Sequence, residues 1–177
     1  MSTHDTQKKI RIYFTGVGGQ GTLTATTLLA RTALDAGLDV VAGEVHGMAQ
    51  RGGVVESVLL LGGWRSPKLD LGEADLLLGF EPLETLRGLP YLRPGGAIFS
   101  NSDPLPPLSV SLGQTPYPDL AHIEAKAKDV AGHCRFLHHF VGSPGTQKNH
   151  CRSPFFHRSH SDKFVQSNVT THIFGSA

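Results

Sequence analysis

A glycine-rich loop between a strand-like and a helix-like segment constrains the fold of this chain more than any other feature. Residues 10–15 (IRIYFT) are mostly β-branched and aromatic, which is typical of a strand. The loop GVGGQG follows at residues 16–21, and residues 22–36 then continue without Gly or Pro, as a helix would. The apolar stripe of this helix is predicted to contain Leu23, Thr27, Leu28, Ala30 and Leu34.

The following segments alternate between strand-like and helix-like patterns. Strands are predicted at residues 39–42, 54–61, 75–80 and 97–100, and helices at 83–89 and 122–130. The uninterrupted run Leu76-Leu77-Leu78 is typical of a strand that is buried on both faces. Residues 101–119 contain five prolines and are predicted to form a crossing loop. The sequence therefore predicts the α/β class, as a three-layer Rossmann-like domain with a largely parallel sheet.

The composition changes abruptly at Gly132. Residues 1–131 carry 11 Lys/Arg and 14 Asp/Glu, whereas residues 132–177 carry 5 Lys/Arg and one acid. The second segment also contains both cysteines and 7 of the 10 histidines, but only one leucine and one alanine. We therefore predict a domain at residues 9–131 and a compositionally foreign, mostly irregular tail at residues 132–177.

The overall composition excludes several classes of protein. A net charge of +1 gives no general attraction to nucleic acid. No apolar run approaches the roughly 18–20 residues that a membrane span needs, and the polar start has no hydrophobic region of a secretion signal. We expect a cytoplasmic protein that binds neither nucleic acid nor membrane.

The glycine loop is the first candidate binding site. Glycines let the backbone turn sharply and let a phosphate approach, and the start of the following helix offers N–H groups and a positive dipole end. The candidate cofactor-binding residues here are Gly16, Gly18, Gly19, Gln20 and Gly21. A dinucleotide site also needs an acid near the end of the second strand, for which Glu44 is the candidate. The alternative is a tight turn that binds nothing.

A second motif, GEVHGMAQRGG at residues 43–53, follows the second predicted strand. Ligands of α/β sheets bind at the carboxyl ends of strands, so this motif is expected beside the glycine loop. His46 and Arg51 are the catalytic candidates, because imidazole exchanges protons near neutral pH and guanidinium pairs with phosphate or carboxylate. Further cofactor-binding candidates are Glu44, Gln50, Gly52 and Gly53. The alternative is an ordinary surface loop.

These two motifs, with residues 73–82 (EADLLLGFEP) and 91–96 (YLRPGG), resemble the gamma-type domain of 2-oxoacid:ferredoxin oxidoreductases. Within that family the beta subunits of indolepyruvate ferredoxin oxidoreductases are the most similar. The resemblance covers about residues 9–131 and does not extend into the tail. It implies a small subunit of an enzyme that oxidatively decarboxylates a 2-oxoacid, such as an aryl pyruvate, to an acyl-CoA and passes electrons to ferredoxin.

The resemblance also implies where the cofactors bind. Thiamine diphosphate, Mg²⁺ and the iron–sulfur clusters are expected on a large partner subunit, with coenzyme A as co-substrate. The two cysteines, Cys134 and Cys151, are too few for a four-cysteine cluster. We therefore expect that this chain binds no metal and is inactive alone.

The tail leaves alternatives open. The pairs His133-Cys134 and His150-Cys151 suggest zinc ligands, but their spacing matches no common zinc motif. A change of reading frame near residue 131 would account for the change in composition, and a genuine divergent extension would do so as well. Two other functions remain open: a free nucleotide-binding module, and a truncated fragment that cannot assemble.

Overall fold

The computed structural model describes residues 8–46, 53–106, 108–113 and 116–138. In these ranges the strands are β1 (Ile10–Val17), β2 (Val40–His46), β3 (Val54–Leu61), β4 (Ala74–Gly79), β5 (Leu92–Asn101) and β6 (His133–Leu137). The helices are α1 (Thr22–Asp35), α2 (Pro82–Gly88), α3 (Leu108–Ser111) and α4 (Leu120–Val130), with a 3₁₀ turn at Leu89–Tyr91. None of these helices is long and apolar enough to cross a membrane.

The six strands form one sheet in the order β2-β3-β1-β4-β5-β6. The pairs β1–β4, β4–β5 and β5–β6 are parallel. Strand β3 is antiparallel to both of its neighbours, β1 and β2. Five strands therefore run in one direction and β3 runs against them, which confirms the prediction of a largely parallel sheet.

Helices cover both faces of the sheet. A Cβ added to Gly16 would lie 2.8 Å from Thr22 Oγ1, so α1 packs on the face to which Gly16 belongs. A Cβ added to Gly88 of α2 would lie 3.3 Å from Thr15 Cγ2. Because successive residues of a strand point to opposite faces, α1 and α2 lie on opposite sides of the sheet. This is the predicted three-layer arrangement.

The core beneath α2 and α4 is apolar. Its buried residues are Tyr13, Ala74, Leu77, Leu89, Leu92, Ile98 and Ala127. The ring of Tyr13 stacks on that of Tyr91, with ring centroids 4.5 Å apart. Burying these side chains gives the main stabilisation of the parallel half of the sheet. This packing involves residues of β1, β4 and β5, which lie side by side in the sheet.

The buried face of α1 differs from the prediction. The helix buries Thr22, Thr26 and Ala33, whereas Leu28 and Leu34 are more than half exposed. The hydroxyl of Thr26 is satisfied within the helix, because it donates to the carbonyl oxygen of Thr22 at 3.0 Å. Of the predicted stripe, Leu23 and Ala30 are half-buried, whereas Thr27, Leu28 and Leu34 are exposed, so the stripe is not the buried face of the helix. Small side chains face the sheet instead.

Several element boundaries also differ. Strand β5 begins at Leu92, five residues before its predicted start at residue 97. Strand β2 continues to His46, so Gly43 and Glu44 are strand residues and not part of a loop. Strand β6 lies at residues 133–137, where the composition predicted an irregular tail, and it pairs with β5 from Ala97↔His133 to Asn101↔Leu137. The sheet therefore continues six residues beyond the predicted domain end at residue 131. The division into domain and tail stays a prediction, since residues 139–177 lie outside the described residues.

Candidate functional site

The glycine loop lies at a point where two neighbouring parallel strands are followed by helices on opposite faces of the sheet. Strand β1 leads into α1 on one face, and β4 leads into α2 on the other. Such a topological switch point opens a crevice at the carboxyl ends of the strands, and ligands of α/β proteins bind there. In this chain the crevice is bounded by residues 16–21 on one side and by Phe80 and Glu81 on the other.

The start of α1 is suited to an anion. Its N-cap is Gly21 (φ 88°), no side chain in the described part of the protein caps it, and its first turn contains no acid. Gly19 is the third residue of a turn in which Gln20 N donates to Val17 O at 3.1 Å, and its φ of 99° favours glycine. Among the described residues, none comes within 4 Å of the position that a Cβ would take at Gly19 or Gly21. The backbone here is open to a phosphate group.

Gly16 has a different role in the same loop. A Cβ at this position would lie 2.8 Å from both Phe80 Cβ and Thr22 Oγ1. Glycine is therefore required so that β1 can pack against the end of β4 and the start of α1. The Thr22 hydroxyl is buried, and within the described ranges it has no hydrogen-bond partner. Gly16 thus shapes the crevice and need not contact a ligand.

Gln20 joins the two sides of the crevice. Its Oε1 accepts from the backbone N of Val17 at 2.8 Å, and its Nε2 donates to the carbonyl oxygen of Phe80 at 3.0 Å. The candidate cofactor-binding carboxamide is therefore engaged in holding the glycine loop to the end of β4.

Glu81 caps the start of α2, and it was not among the site residues predicted from the sequence. It is the N-cap of this helix, and its Oε2 accepts from the backbone N of Glu84 at 2.9 Å. Its Oε1 accepts from the backbone N of Leu105 at 3.3 Å and from the hydroxyl of Tyr117 at 2.5 Å. Because the carboxyl is fully buried, its pKa is raised, although these hydrogen bonds act in the opposite direction. One carboxylate thus ties α2 to the crossing loop.

A second buried acid lies one turn further along α2. Glu84 Oε1 pairs with Arg87 Nη1 at 2.6 Å, and Oε2 has no hydrogen-bond partner among the residues described. Burial raises the pKa of Glu84, and the charge of Glu81 adds to this increase, while Arg87 opposes it. The start of α2 therefore already holds two buried carboxyl groups, one of which caps the helix, in contrast to the uncapped start of α1.

The second motif reaches the glycine loop at its C-terminal end, Gly53, whereas β3 lies between His46 and Gly16. It is the connection of the β2–β3 hairpin, and the Gly53 carbonyl accepts from the backbone N of Gly18 at 2.8 Å. His46 and Gly16 flank the same residue of β3, Val55, from opposite sides. The expected placement at one edge is confirmed for these ends. Gln50, Arg51 and Gly52 lie outside the described residues, and so does the His46 side chain.

Glu44 is not brought to the glycine loop. It pairs with Ser57 of β3, and Ser57 pairs with Phe14 of β1, so β3 lies between Glu44 and β1. Two strand spacings place the backbones of Glu44 and Phe14 roughly 10 Å apart. A dinucleotide site needs its acid on the strand next to β1. The topology therefore argues against the ribose-binding role for Glu44.

The zinc hypothesis can be examined at two of its four residues. His133 and Cys134 are successive residues of β6 and therefore point to opposite faces of the sheet. The His133 ring lies 5.7 Å from that of Phe99, centroid to centroid. Within the described part of the chain, no three His, Cys, Asp or Glu side chains are grouped as metal ligands. His150 and Cys151 lie outside that part.

Comparison with protein families decides the relationship. A family model described as pyruvate ferredoxin/flavodoxin oxidoreductase matches residues 11–136. The chain belongs to this family. The match contains both motifs and the start of β6, and it confirms the family resemblance inferred from the sequence.

Curated members of this oxidoreductase family are similar over the same region. The indolepyruvate oxidoreductase subunit IorB of Pyrococcus horikoshii is 48% identical over 121 residues, which are 66% of this chain and 58% of that protein. The IorB subunit of Thermococcus kodakarensis is 49% identical over 129 residues, which are 71% of this chain and 62% of that protein. The chain thus spans about three fifths of the length of these curated relatives.

A solved structure has the same fold. The pyruvate oxidoreductase subunit PORC of Thermotoga maritima superposes with a TM-score of 0.50 at 19% sequence identity. The superposition covers 74% of this chain and 62% of that one. The mixed α/β sheet described above is therefore the fold of a known oxidoreductase subunit.

The features that sequence reasoning missed in this family member lie at the end of β4. Glu81 followed by Pro82 is a visible signal, because an acid before a proline often marks an N-cap and the first helical residue. The partners of Glu81 carry no such signal, since Leu105 and Tyr117 reach it from 24 and 36 positions away. Only the folded chain shows that they meet.

Proposed function

We propose that this chain is the small subunit of a 2-oxoacid:ferredoxin oxidoreductase whose substrate is indolepyruvate or a related aryl pyruvate. The observation that carries the proposal is the 48% identity over 121 residues to the IorB subunit of Pyrococcus horikoshii. The proposed reaction is the oxidative decarboxylation of the 2-oxoacid to an acyl-CoA in the cytoplasm, with electrons passing to ferredoxin.

The cofactors of this reaction belong to the large partner subunit in this proposal. Thiamine diphosphate with Mg²⁺ and the iron–sulfur clusters supply the decarboxylation and electron-transfer chemistry. The full sequence has two cysteines, which is fewer than the four ligands of a typical cluster. The role of this chain is therefore to bind and orient, not to carry out the redox step.

The glycine loop supports a role in binding coenzyme A. The start of α1 has no side-chain cap within the described residues and no acid in its first turn, so its positive dipole end is available to a phosphate. Gly19 and Gly21 would let the phosphate approach the backbone closely. The neighbouring start of α2 would reject an anion, because Glu81 and Glu84 already lie there.

Reconstitution tests the proposal. The chain is co-expressed with a large indolepyruvate oxidoreductase subunit from the same organism, and reduction of ferredoxin or a viologen dye is followed with indolepyruvate and coenzyme A. We expect a stable complex that is active only with both subunits and both substrates. Turnover by this chain alone, or failure of a folded chain to join the large subunit, would contradict the proposal.

The second motif can be tested in the same assay. We expect Arg51→Ala to lower activity at least tenfold, in line with the loss of a charged contact to a substrate or to the partner subunit. Lys68→Ala is the matched control, since the Lys68 side chain is 74% exposed and pairs with another exposed side chain, Asp70, at 3.1 Å. Equal activities of the two variants would remove Arg51 from the site.

A further inference from the structure

Gln20 lies at the topological switch point, and both the oxygen and the nitrogen of its carboxamide form hydrogen bonds. Oε1 accepts from Val17 N at 2.8 Å and Nε2 donates to Phe80 O at 3.0 Å. The first bond folds the side chain back onto its own loop, and the second crosses to the neighbouring strand end. Both distances are those of well-formed N–H···O hydrogen bonds.

The Phe80 carbonyl is a shared acceptor at this edge. It receives Gln20 Nε2 at 3.0 Å and Asn101 Nδ2 at 3.3 Å. The backbone N of Phe80 donates to Thr15 O at 2.8 Å, which continues the β1–β4 ladder. Side chains from the glycine loop and from the end of β5 therefore converge on the first residue after β4. The glycine loop takes its position from this point.

The chemistry requires glutamine at position 20. The side chain must accept from one backbone N–H and donate to one backbone carbonyl at the same time, which a carboxamide does and a carboxylate or thioether does not. It must also span the crevice, which favours the longer side chain of Gln over Asn. Glutamine is therefore matched to a positioning role, although sequence reasoning had placed it among the ligand contacts.

We propose that Gln20 is a positioning residue that fixes the glycine loop for the phosphates of coenzyme A and acts through the loop without contacting the ligand. Without Gln20, residues 17–20 would be held to β4 by fewer bonds, and a bound phosphate would have to order them first. Ordering a loop on binding lowers affinity. The choice of coenzyme A as the ligand rests on the function proposed above.

The first arm of the test measures the loop itself in the full chain. Hydrogen–deuterium exchange is followed in a peptide that contains Val17 for the wild type, Gln20→Met and Gln20→Glu. Gln20→Met removes both bonds, so we expect Val17 to exchange about fivefold faster, the equivalent of one lost hydrogen bond. Gln20→Glu keeps an acceptor for Val17 but loses the bond to Phe80 O and places a carboxylate oxygen against that carbonyl, so it should also exchange faster than the wild type. Thr27→Ala, at an exposed position of α1, is the control.

The second arm measures kinetics in the holoenzyme. We expect Gln20→Met to raise the KM for coenzyme A about fivefold while kcat stays within twofold, because a binding contribution common to ground and transition states is lost. The KM for the 2-oxoacid should not change. Thr27→Ala should leave all three constants unchanged.

Each other outcome overturns part of the account. Unchanged exchange in Gln20→Met, or an unchanged KM for coenzyme A, would show that Gln20 does not position the loop for this ligand. Weaker subunit association with an unchanged KM would assign the loop to the partner contact instead. A wild-type holoenzyme that needs no coenzyme A would overturn the proposed function, while the exchange arm would still decide whether Gln20 holds the loop.

Discussion

Two helices begin at the same edge of the sheet, after neighbouring parallel strands, and their first residues are built in opposite ways. Helix α1 begins at a glycine N-cap with no side-chain cap within the described residues, and its first turn has no acid. Helix α2 begins at Glu81, whose buried carboxylate accepts from the backbone N of Glu84 at 2.9 Å. The dipole end of α2 is therefore neutralised from within the chain, and that of α1 is not.

The contrast between the two helix starts distinguishes a turn that serves the fold from a turn that is open to a ligand. A carboxylate at a helix start satisfies the N–H groups that an external anion would otherwise bind. At α2 the same carboxylate also holds Leu105 and Tyr117, so it is committed to the fold. At α1 the stabilisation of the first turn is left to a ligand or to solvent. Of the two starts, α1 is the one that can respond to an anion.

The largest effect is expected from removing the internal carboxylate. Glu81→Ala leaves Glu84 N, Leu105 N and Tyr117 OH without their acceptor in a buried site, so it should lower the free energy of unfolding by about 3 kcal/mol. Urea denaturation of the full chain measures this loss. The matched change at α1, Gly21→Ala, should cost about 1 kcal/mol through its positive φ. Equal losses would contradict the contrast between the two helix starts.

A smaller effect is expected within the glycine loop itself. Gly16→Ala places a Cβ 2.8 Å from Phe80 Cβ and should destabilise the fold by about 2 kcal/mol. Gly19→Ala meets only open space among the described residues and should cost about 1 kcal/mol, from its φ of 99°. Thermal unfolding of the two variants ranks them. The reverse order would mean that the loop packs differently at the end of β4.

Several elements of the sheet could be predicted because their signals are local. The apolar run at Leu76–Leu78 and the glycine loop each identify their own structure, and β3 was predicted with its observed ends at Val54 and Leu61. The position of β3 between β1 and β2 could not be predicted, since nothing in its own residues indicates which strands it pairs with. That pairing decided against the ribose-binding role of Glu44.

Only those parts of the site that lie within one segment of the sequence could be predicted. The glycine loop and the ends of the second motif were expected at one edge, and Gly18 and Gly53 meet there. The role of Gln20 depends on Phe80, 60 positions away, and no local pattern records this contact. The buried face of α1 was mispredicted because hydrophobicity favoured Leu28 and Leu34, whereas packing close to the sheet requires small side chains.

The pH dependence of stability offers a finer test of the α2 side. Burial raises the pKa of Glu81 in the folded chain, so the folded state binds a proton more tightly than the unfolded state. The contribution of this group is fully present below its unfolded pKa, near 4.5, and is lost as the pH rises through the folded pKa. Glu81→Gln should remove this pH-dependent loss of stability. The urea midpoints at pH 5 and pH 8 should then differ less in the variant than in the wild type. An unchanged difference between the two midpoints would contradict the direction of the shift.

The smallest effect is expected on the outer face of α1. Leu28 is 58% exposed, so Leu28→Gln should change the free energy of unfolding by less than about 0.5 kcal/mol. Ala33→Leu, at a position that is 4% exposed, should destabilise the chain by about 2 kcal/mol through overpacking against the sheet. Chemical denaturation of both variants would show which face of α1 meets the sheet. A large loss for Leu28→Gln would restore the leucine stripe as the buried face.

The contrast between the two helix starts can be measured directly by hydrogen–deuterium exchange in the holoenzyme with and without coenzyme A. We predict that coenzyme A slows exchange in the peptide that spans the glycine loop and the first turn of α1, and leaves the first turn of α2 unchanged. Two results would contradict the assignment of the glycine loop as the phosphate-binding turn. One is that coenzyme A slows exchange at both helix starts. The other is that exchange in the α1 peptide slows on subunit assembly but does not respond to coenzyme A.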